Sequence, residues 1–126
     1  QAGVPKERVL IKTPATWAGI RATQILEAEG IKCLVTLVCS ELQGRAAAEA
    51  EASVIATYVG RVSDWHKQRA WDVPFPASAS EDPGVVMTNR LQHFVRDQGL
   101  RTEVMAASFR SVDQVAALAG CDHLTI

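Results

Sequence analysis

One lysine stands where this chain could form a covalent bond to a substrate. Lys12 ends an apolar run in the segment RVLIKTPATWAGI, at residues 8–20, and a polar turn follows it. A lysine amine attacks a carbonyl only when it is neutral, and apolar neighbours disfavour its charged form. A Schiff base formed there would be an electron sink for cleavage of a C–C bond. A lysine that ends a strand and extends its ammonium group to water is the commoner alternative, and spacing alone favours it.

A second set of polar residues indicates a site for an anion. Arg61, Ser108 and Arg110 follow two later apolar runs. Two guanidinium groups and a hydroxyl close to the start of a helix suit a phosphate group. Surface salt bridges explain the two arginines equally well. Thr36 is a weaker candidate, because threonine is favoured in strands for steric reasons.

The cysteines and histidines do not indicate a metal site. Cys33, Cys39 and Cys121 contain no CxxC pair, and the three histidines have no nucleophile or metal ligand at a telling spacing. We interpret the cysteines as small buried hydrophobic residues in a reducing compartment. This interpretation favours a cytoplasmic protein.

Composition excludes several classes of function. The 126 residues are 48% hydrophobic and 21% charged, which is typical of a globular domain. Thirteen basic and fourteen acidic residues give a net charge of −1, which argues against binding to nucleic acid or to a membrane surface. No apolar run is long enough to span a membrane, and the first residues lack the apolar core of a signal peptide.

The elements that must position the candidate residues alternate in type. Nearly continuous apolar runs at 9–11, 34–38, 54–59, 104–107 and 124–126 predict strands buried on both faces. A helix is predicted after Thr16, which suits an N-cap, and others at about 41–50, 62–68, 86–97 and 111–118. A proline-containing loop is predicted at about 72–83. The order β-α-β-α-β-α-α-β-α-β predicts an α/β fold with a parallel sheet.

Five strands form either a small open sheet or an arc of a barrel. The chain begins close to its first strand and stops inside its last, which favours the arc. A complete (β/α)8 barrel needs about 250 residues. We therefore expect one domain, residues 1–126, that forms a partial TIM barrel. Functional side chains of such a sheet lie where strands end and the following loops begin.

The chain resembles the transaldolases over nearly its whole length. The resemblance is carried, in order and spacing, by RVLIKTPATWAGIRATQILEAEGIKC, VTLVCS, YVGRVSDWHK, EDPGVV, MAASFRS and LAGCDHLTI. It implies a class I aldolase mechanism on a (β/α)8 barrel, in which a dihydroxyacetone unit passes from sedoheptulose 7-phosphate to glyceraldehyde 3-phosphate. It also implies the non-oxidative pentose phosphate pathway, sugar phosphate substrates, no metal or organic cofactor, and a homodimer of the full-length parent.

The resemblance assigns roles to individual residues. Lys12 matches the Schiff-base lysine, and Thr36 matches the threonine that helps to hold the catalytic water. Arg61, Ser108 and Arg110 match the residues that bind the substrate phosphate.

Some features depart from the family pattern. An asparagine usually stands at the position of Leu34 and a serine at that of Ala56, and the loop CSELQG lacks the usual phenylalanine. The family's proton-transfer carboxylates, one Asp and one Glu, come from the first and third barrel strands, whereas this chain corresponds to strands four to eight. We therefore expect little or no activity from the chain alone. The alternatives are a Schiff-base aldolase that cleaves without transfer, and a non-catalytic truncated or divergent homologue with a structural or interaction role.

Overall fold

Five parallel strands form one open sheet in the computed structural model, which describes residues 3–69 and 74–126. They lie in the order of the chain, and each pairs with the next in parallel. The predicted α/β fold is confirmed, and the sequential order is that of an arc of a TIM barrel. The strands are β1 (Ile11–Pro14), β2 (Cys33–Val38), β3 (Val54–Tyr58), β4 (Glu103–Ala107) and β5 (His123–Thr125).

Helices connect the strands in the predicted order. The N-cap prediction for Thr16 is confirmed, because its Oγ1 accepts a hydrogen bond from the Gly19 N–H at 3.2 Å. The fourth helix begins earlier than predicted, since Asp82 caps it and Pro83 takes a first-turn position that needs no N–H. Part of the predicted loop at 72–83 lies outside the described residues. The helices of the described chain are α1 (Trp17–Ala28), α2 (Glu41–Glu49), α3 (Val59–Gln68), α4 (Pro83–Asp97) and α5 (Val112–Ala117).

The first strand lies further along the chain than its apolar run predicts. The sequence predicts a strand at 9–11, but Lys6–Arg8 form a 3-10 turn and β1 begins at Ile11. Pairing starts where the Ile11 N–H donates to the Lys32 carbonyl at 2.8 Å. The partner strand, rather than hydrophobicity, therefore sets the start of β1. Lys12 consequently lies inside the strand and not at its end.

Among the described residues, helices cover one face of the sheet and none covers the other, which we call the open face. Sequential parallel strands joined by crossovers of one hand place all their helices on the same side. Alternate side chains therefore meet different surroundings. Val35, Ile55 and Val104 point to the helices and are fully buried. Register and alternation place a second set on the open face, namely Lys12, Leu34, Thr36, Ala56 and Tyr58.

The hydrophobic core lies between the sheet and the helices. Leu91 of α4 belongs to the larger cluster of buried side chains and is fully buried. A smaller cluster lies below the carboxyl ends of β3 and β4 and supports the start of α3. Its buried members are Val59, Val85, Ala106 and Leu118.

The cysteines do not share one environment. Cys33 is fully buried, as the sequence predicts. Cys39 is exposed and Cys121 is only partly buried, so the interpretation of all three as buried hydrophobic residues is wrong for these two. Cys39 lies between β2 and α2 outside the core, whereas Cys121 packs against the smaller core cluster from its rim. No helix among the described residues has the length and apolar character to cross a membrane.

Candidate active site

Lys12 lies in the middle of β1 on the open face of the sheet. It pairs with Leu34 of β2, and its own side chain is exposed. Leu34 is only partly buried, so the described residues do not enclose the lysine as an apolar run alone suggests. The amine is therefore accessible to a molecule that approaches the open face.

Thr36 and Tyr58 form a hydroxyl pair on the same face. The Thr36 Oγ1 donates a hydrogen bond to the Tyr58 hydroxyl at 3.2 Å, which joins β2 to the end of β3. Thr36 pairs in register with Pro14, two residues after Lys12, so the hydroxyl pair lies nearer the carboxyl ends of the strands. Sequence reasoning does not single out Tyr58, because a tyrosine at the end of an apolar run suits ordinary packing.

A backbone irregularity follows Thr36 directly. Leu37 has a φ of 63°, and the register of β2 against β3 shifts between Val35 and Val38. The left-handed conformation costs a leucine roughly 1–2 kcal/mol. Residues in such conformations are concentrated at functional sites. The shift turns the end of β2 and exposes half of the Leu37 side chain.

The segment after β4 folds back on itself. Ser108 has a φ of 64°, a conformation that favours glycine. The Arg110 Nη1 donates to the Ser108 carbonyl oxygen at 2.9 Å and lies 3.2 Å from the Ser108 Oγ. The structure therefore brings these two candidate residues into direct contact.

The first turn of α3 packs against this segment. The Gly60 N–H donates to the Ser108 carbonyl at 2.9 Å. A Cβ on Gly60 would lie 2.1 Å from the same oxygen, so no larger residue fits without displacement. Arg61 is the next residue and is exposed. Ser108 and Arg110 are therefore in contact where β3 and β4 end, and Arg61 follows the glycine that packs against Ser108.

Asp64 of α3 binds the Arg110 guanidinium. Its Oδ2 accepts hydrogen bonds from Nε at 3.0 Å and from Nη2 at 2.7 Å. Sequence reasoning misses this carboxylate, because the two residues are 46 positions apart and no local pattern links them. The ion pair orients Arg110 and offsets its charge while no anion is bound.

Arg61 also acts toward the end of β2. Although Cys39 is exposed overall, desolvation of its thiol raises its pKa, and the positive charge of Arg61 opposes that rise. The guanidinium is therefore close enough to influence a residue that follows Thr36 by three positions.

Lys12 remains apart from the arginines and Ser108. Strands are spaced by about 4.8 Å, so β1 lies about 10 Å from β3 and about 14 Å from β4. The register adds an offset along the strands, because Lys12 is level with Val54 and Glu103 at the start of β3 and β4, whereas Arg61 and Ser108 follow the ends of these strands. Among the described residues no three or more metal-ligating side chains come together.

Comparison with known proteins gives one family. The family described as Transaldolase/Fructose-6-phosphate aldolase matches residues 1–126. The chain is 48% identical over 126 residues to "Transaldolase B" of Pasteurella multocida (strain Pm70). The aligned region covers 100% of this chain and 39% of that protein. It is 47% identical over 124 residues to a "Transaldolase" of Prochlorococcus marinus subsp. pastoris, covering 98% of this chain and 37% of that protein. A "Transaldolase" of Haemophilus influenzae (strain PittEE) is 46% identical over 125 residues, covering 99% and 39%.

The matches cover almost the whole of this chain but only part of each relative. They include nearly every residue of this chain but only 37–39% of the length of each relative. More than half of each relative thus has no counterpart in the 126 residues.

Proposed function

The chain belongs to the transaldolase/fructose-6-phosphate aldolase family, and on that basis we propose that Lys12 forms a Schiff base with a ketose phosphate. Arg61, Ser108 and Arg110 bind its phosphate group. The reaction moves a dihydroxyacetone unit from sedoheptulose 7-phosphate to glyceraldehyde 3-phosphate. The strongest support is the contact of Arg110 with Ser108 beside the start of α3, where the ends of β3 and β4 lie.

Lys12 acts as the nucleophile in the proposed reaction. Its Nζ adds to the C2 carbonyl and water leaves, which gives an iminium ion. The C3–C4 bond then breaks, its electron pair moves toward the iminium nitrogen to form an enamine, and the C4 hydroxyl loses its proton as the aldehyde departs. The enamine carbon attacks the carbonyl of the acceptor aldehyde, which takes up a proton, and water then hydrolyses the new iminium to free Lys12. The electrons balance without an oxidant or a reductant.

Thr36 holds the water that adds to the iminium carbon. Its hydroxyl hydrogen points to Tyr58, which leaves lone pairs of Oγ1 able to accept a hydrogen bond from water. This orientation suits a water that attacks through its own oxygen.

The proton acceptor for the C4 hydroxyl comes from the rest of the barrel. Asp64 is already paired with Arg110, and the resemblance assigns proton transfer to carboxylates on strands that this chain does not contain. Such acid–base catalysis is worth typically 10²–10⁴-fold in rate. The activity therefore belongs to the full-length parent, for which we also propose a cytoplasmic location, a role in the pentose phosphate pathway and a homodimer.

Reductive trapping tests the assignment of Lys12. Intact protein carrying this sequence is incubated with fructose 6-phosphate and borohydride, and the modified peptide is identified by mass spectrometry. We expect the adduct on Lys12, its loss in Lys12→Arg, and its retention in Lys32→Arg, a matched exposed lysine outside the open face. An adduct that persists in Lys12→Arg would contradict the proposal.

A non-catalytic role is the second candidate. It is favoured by Leu34, an apolar group beside Lys12, and by Ala56, a second apolar residue on the same face two strands away. Transfer activity of the intact protein, measured with and without an acceptor aldehyde, separates the candidates. Transfer supports the proposal, aldehyde release without an acceptor indicates an aldolase, and no turnover supports the non-catalytic homologue.

A further inference from the structure

Gln114 contacts the backbone of the segment that carries the proposed phosphate site. It lies in the first turn of α5 and only 3% of it is exposed. Its Oε1 accepts a hydrogen bond from the Arg110 N–H at 2.7 Å. Its Nε2 donates to the Asp82 Oδ2 at 3.0 Å and to the Ser63 Oγ at 3.1 Å. Three of the four hydrogen bonds that an amide side chain can make are therefore formed.

The partners of Gln114 are buried and held in turn. Asp82 is 4% exposed and Ser63 is fully buried. The Ser63 hydroxyl donates to the Asp82 Oδ1 at 2.6 Å, and the Gly84 N–H donates to the same oxygen at 2.8 Å. One network of hydrogen bonds thus joins α3, the start of α4 and the start of α5. A side chain bound from several elements has little freedom to move.

Helix capping alone does not account for this network. Ser111 and Gln114 form a Ser-x-x-Gln motif, in which the glutamine normally returns to the N–H of the capping residue. Ser40 and Gln43 of α2 form the same motif, and Gln43 also accepts from the residue before the cap, Cys39, at 2.9 Å. The Gln43 amide nitrogen, however, donates to a backbone carbonyl, that of Ala15. A buried carboxylate and hydroxyl beneath the glutamine distinguish the motif of α5.

We propose that Gln114 is a positioning residue for phosphate binding, which acts by fixing the peptide of Arg110. The proposal rests on the phosphate site proposed above. Arg110 is held at two points: Asp64 binds the guanidinium and Gln114 binds the backbone N–H. Both anchors lead to adjacent residues of α3, because Ser63 supports Gln114. Arg61 also belongs to α3. The position of Arg110 relative to Arg61 is thereby fixed before any ligand binds.

Inorganic phosphate is the probe for this proposal. Its dissociation constant is measured by calorimetry for the 126-residue chain, for Gln114→Met and for the control Gln92→Met. Gln92 is an equally buried glutamine, 4% exposed, that donates to the Gly120 carbonyl away from the site. We expect Gln114→Met to raise the dissociation constant roughly fivefold, the equivalent of one hydrogen bond, and Gln92→Met to leave it unchanged. Urea unfolding should show that both variants are folded at the temperature of the titration, with the larger loss of stability in Gln114→Met, so that phosphate binding is compared between folded proteins.

The outcomes separate the two proposals. If the wild-type chain binds phosphate and Gln114→Met binds it equally well, the positioning role is wrong and the phosphate site stands. If the wild-type chain shows no saturable binding, the phosphate site is wrong and the positioning role fails with it. Should Gln114→Met not fold, Ser63→Ala removes one support of Gln114 and should weaken phosphate binding by roughly twofold. An unchanged constant in Ser63→Ala would then count against the proposal.

Discussion

The Thr36 hydroxyl donates its hydrogen to the Tyr58 hydroxyl across 3.2 Å, and this bond joins two neighbouring strands on the face that carries Lys12. We expect Tyr58→Phe to lower the free energy of unfolding by about 1 kcal/mol, because it leaves the buried Thr36 hydroxyl without its acceptor. Urea unfolding of Tyr58→Phe, Thr36→Val and the double variant measures the interaction. The double variant should lose less than the sum of the single losses. Strict additivity would show that the two hydroxyls do not interact in solution.

The Asp64–Arg110 ion pair predicts a response to salt. Asp64→Asn removes a negative charge next to the proposed phosphate site but keeps one oxygen that can accept from Arg110. We expect phosphate to bind roughly two- to fivefold more tightly to this variant at low ionic strength, with the gain reduced at high salt. Calorimetric titrations at two salt concentrations measure it. Asp113→Asn, an exposed acid at the start of α5, is the control for a general change in net charge. Weaker binding by Asp64→Asn would show that orientation of Arg110 outweighs its free charge.

The contact between Gly60 and Ser108 predicts a steric penalty. In Gly60→Ala the new methyl group meets the Ser108 carbonyl oxygen, which the wild-type backbone places 2.1 Å from the Cβ position. The start of α3 must then move away from the segment after β4. We expect a loss of about 1–3 kcal/mol in the free energy of unfolding, together with weaker phosphate binding. Gly120→Ala is the matched control, because no atom lies within 4 Å of its Cβ position. Equal stabilities of the two variants would refute the close packing at Gly60.

The partly buried thiol of Cys121 predicts a loss of stability at high pH. Burial raises its pKa from 9.0 to about 11, Asp122 adds to the rise and Arg96 opposes it. Above about pH 9 the thiol of the unfolded chain ionises while that of the folded chain keeps its proton, so the unfolded state gains stability. The free energy of unfolding therefore declines progressively between about pH 9 and pH 11. Urea unfolding across this range measures the decline, and Cys121→Ser should reduce it. An identical pH dependence in the variant would exclude Cys121 as its source.

Much of the fold can be predicted from the sequence because it depends on local patterns. Apolar runs and a capping threonine give the order of strands and helices directly. The start of β1 cannot be predicted in this way, because hydrogen bonding to β2 decides it and moves the strand past its own apolar run. Burial is also only half predicted, since Lys12 and Leu34 share a face that the helices do not cover.

The candidate site, like the fold, can be predicted from the sequence only in part. Lys12, Thr36, Arg61, Ser108 and Arg110 can be named because strand ends and family motifs mark them. The residues that hold them in place cannot be predicted, because they are distant in sequence. Asp64 binds Arg110 across 46 positions, and Asp82 binds Gln114 across 32 positions. The Ser-x-x-Gln spacing at Ser111 is a visible signal for a helix start, but it does not reveal which backbone group Gln114 binds.

One face of the sheet packs against the helices and the other carries the candidate site. This separation bears on how the chain could evolve or be redesigned. Val35, Ile55 and Val104 belong to the buried core beneath the helices, and their alternating neighbours Leu34 and Ala56 face the opposite way. Natural selection or a designer can therefore alter polarity around Lys12 through positions whose side chains never enter the helix layer. A change of the chemistry around Lys12 consequently does not require a change of the core residues.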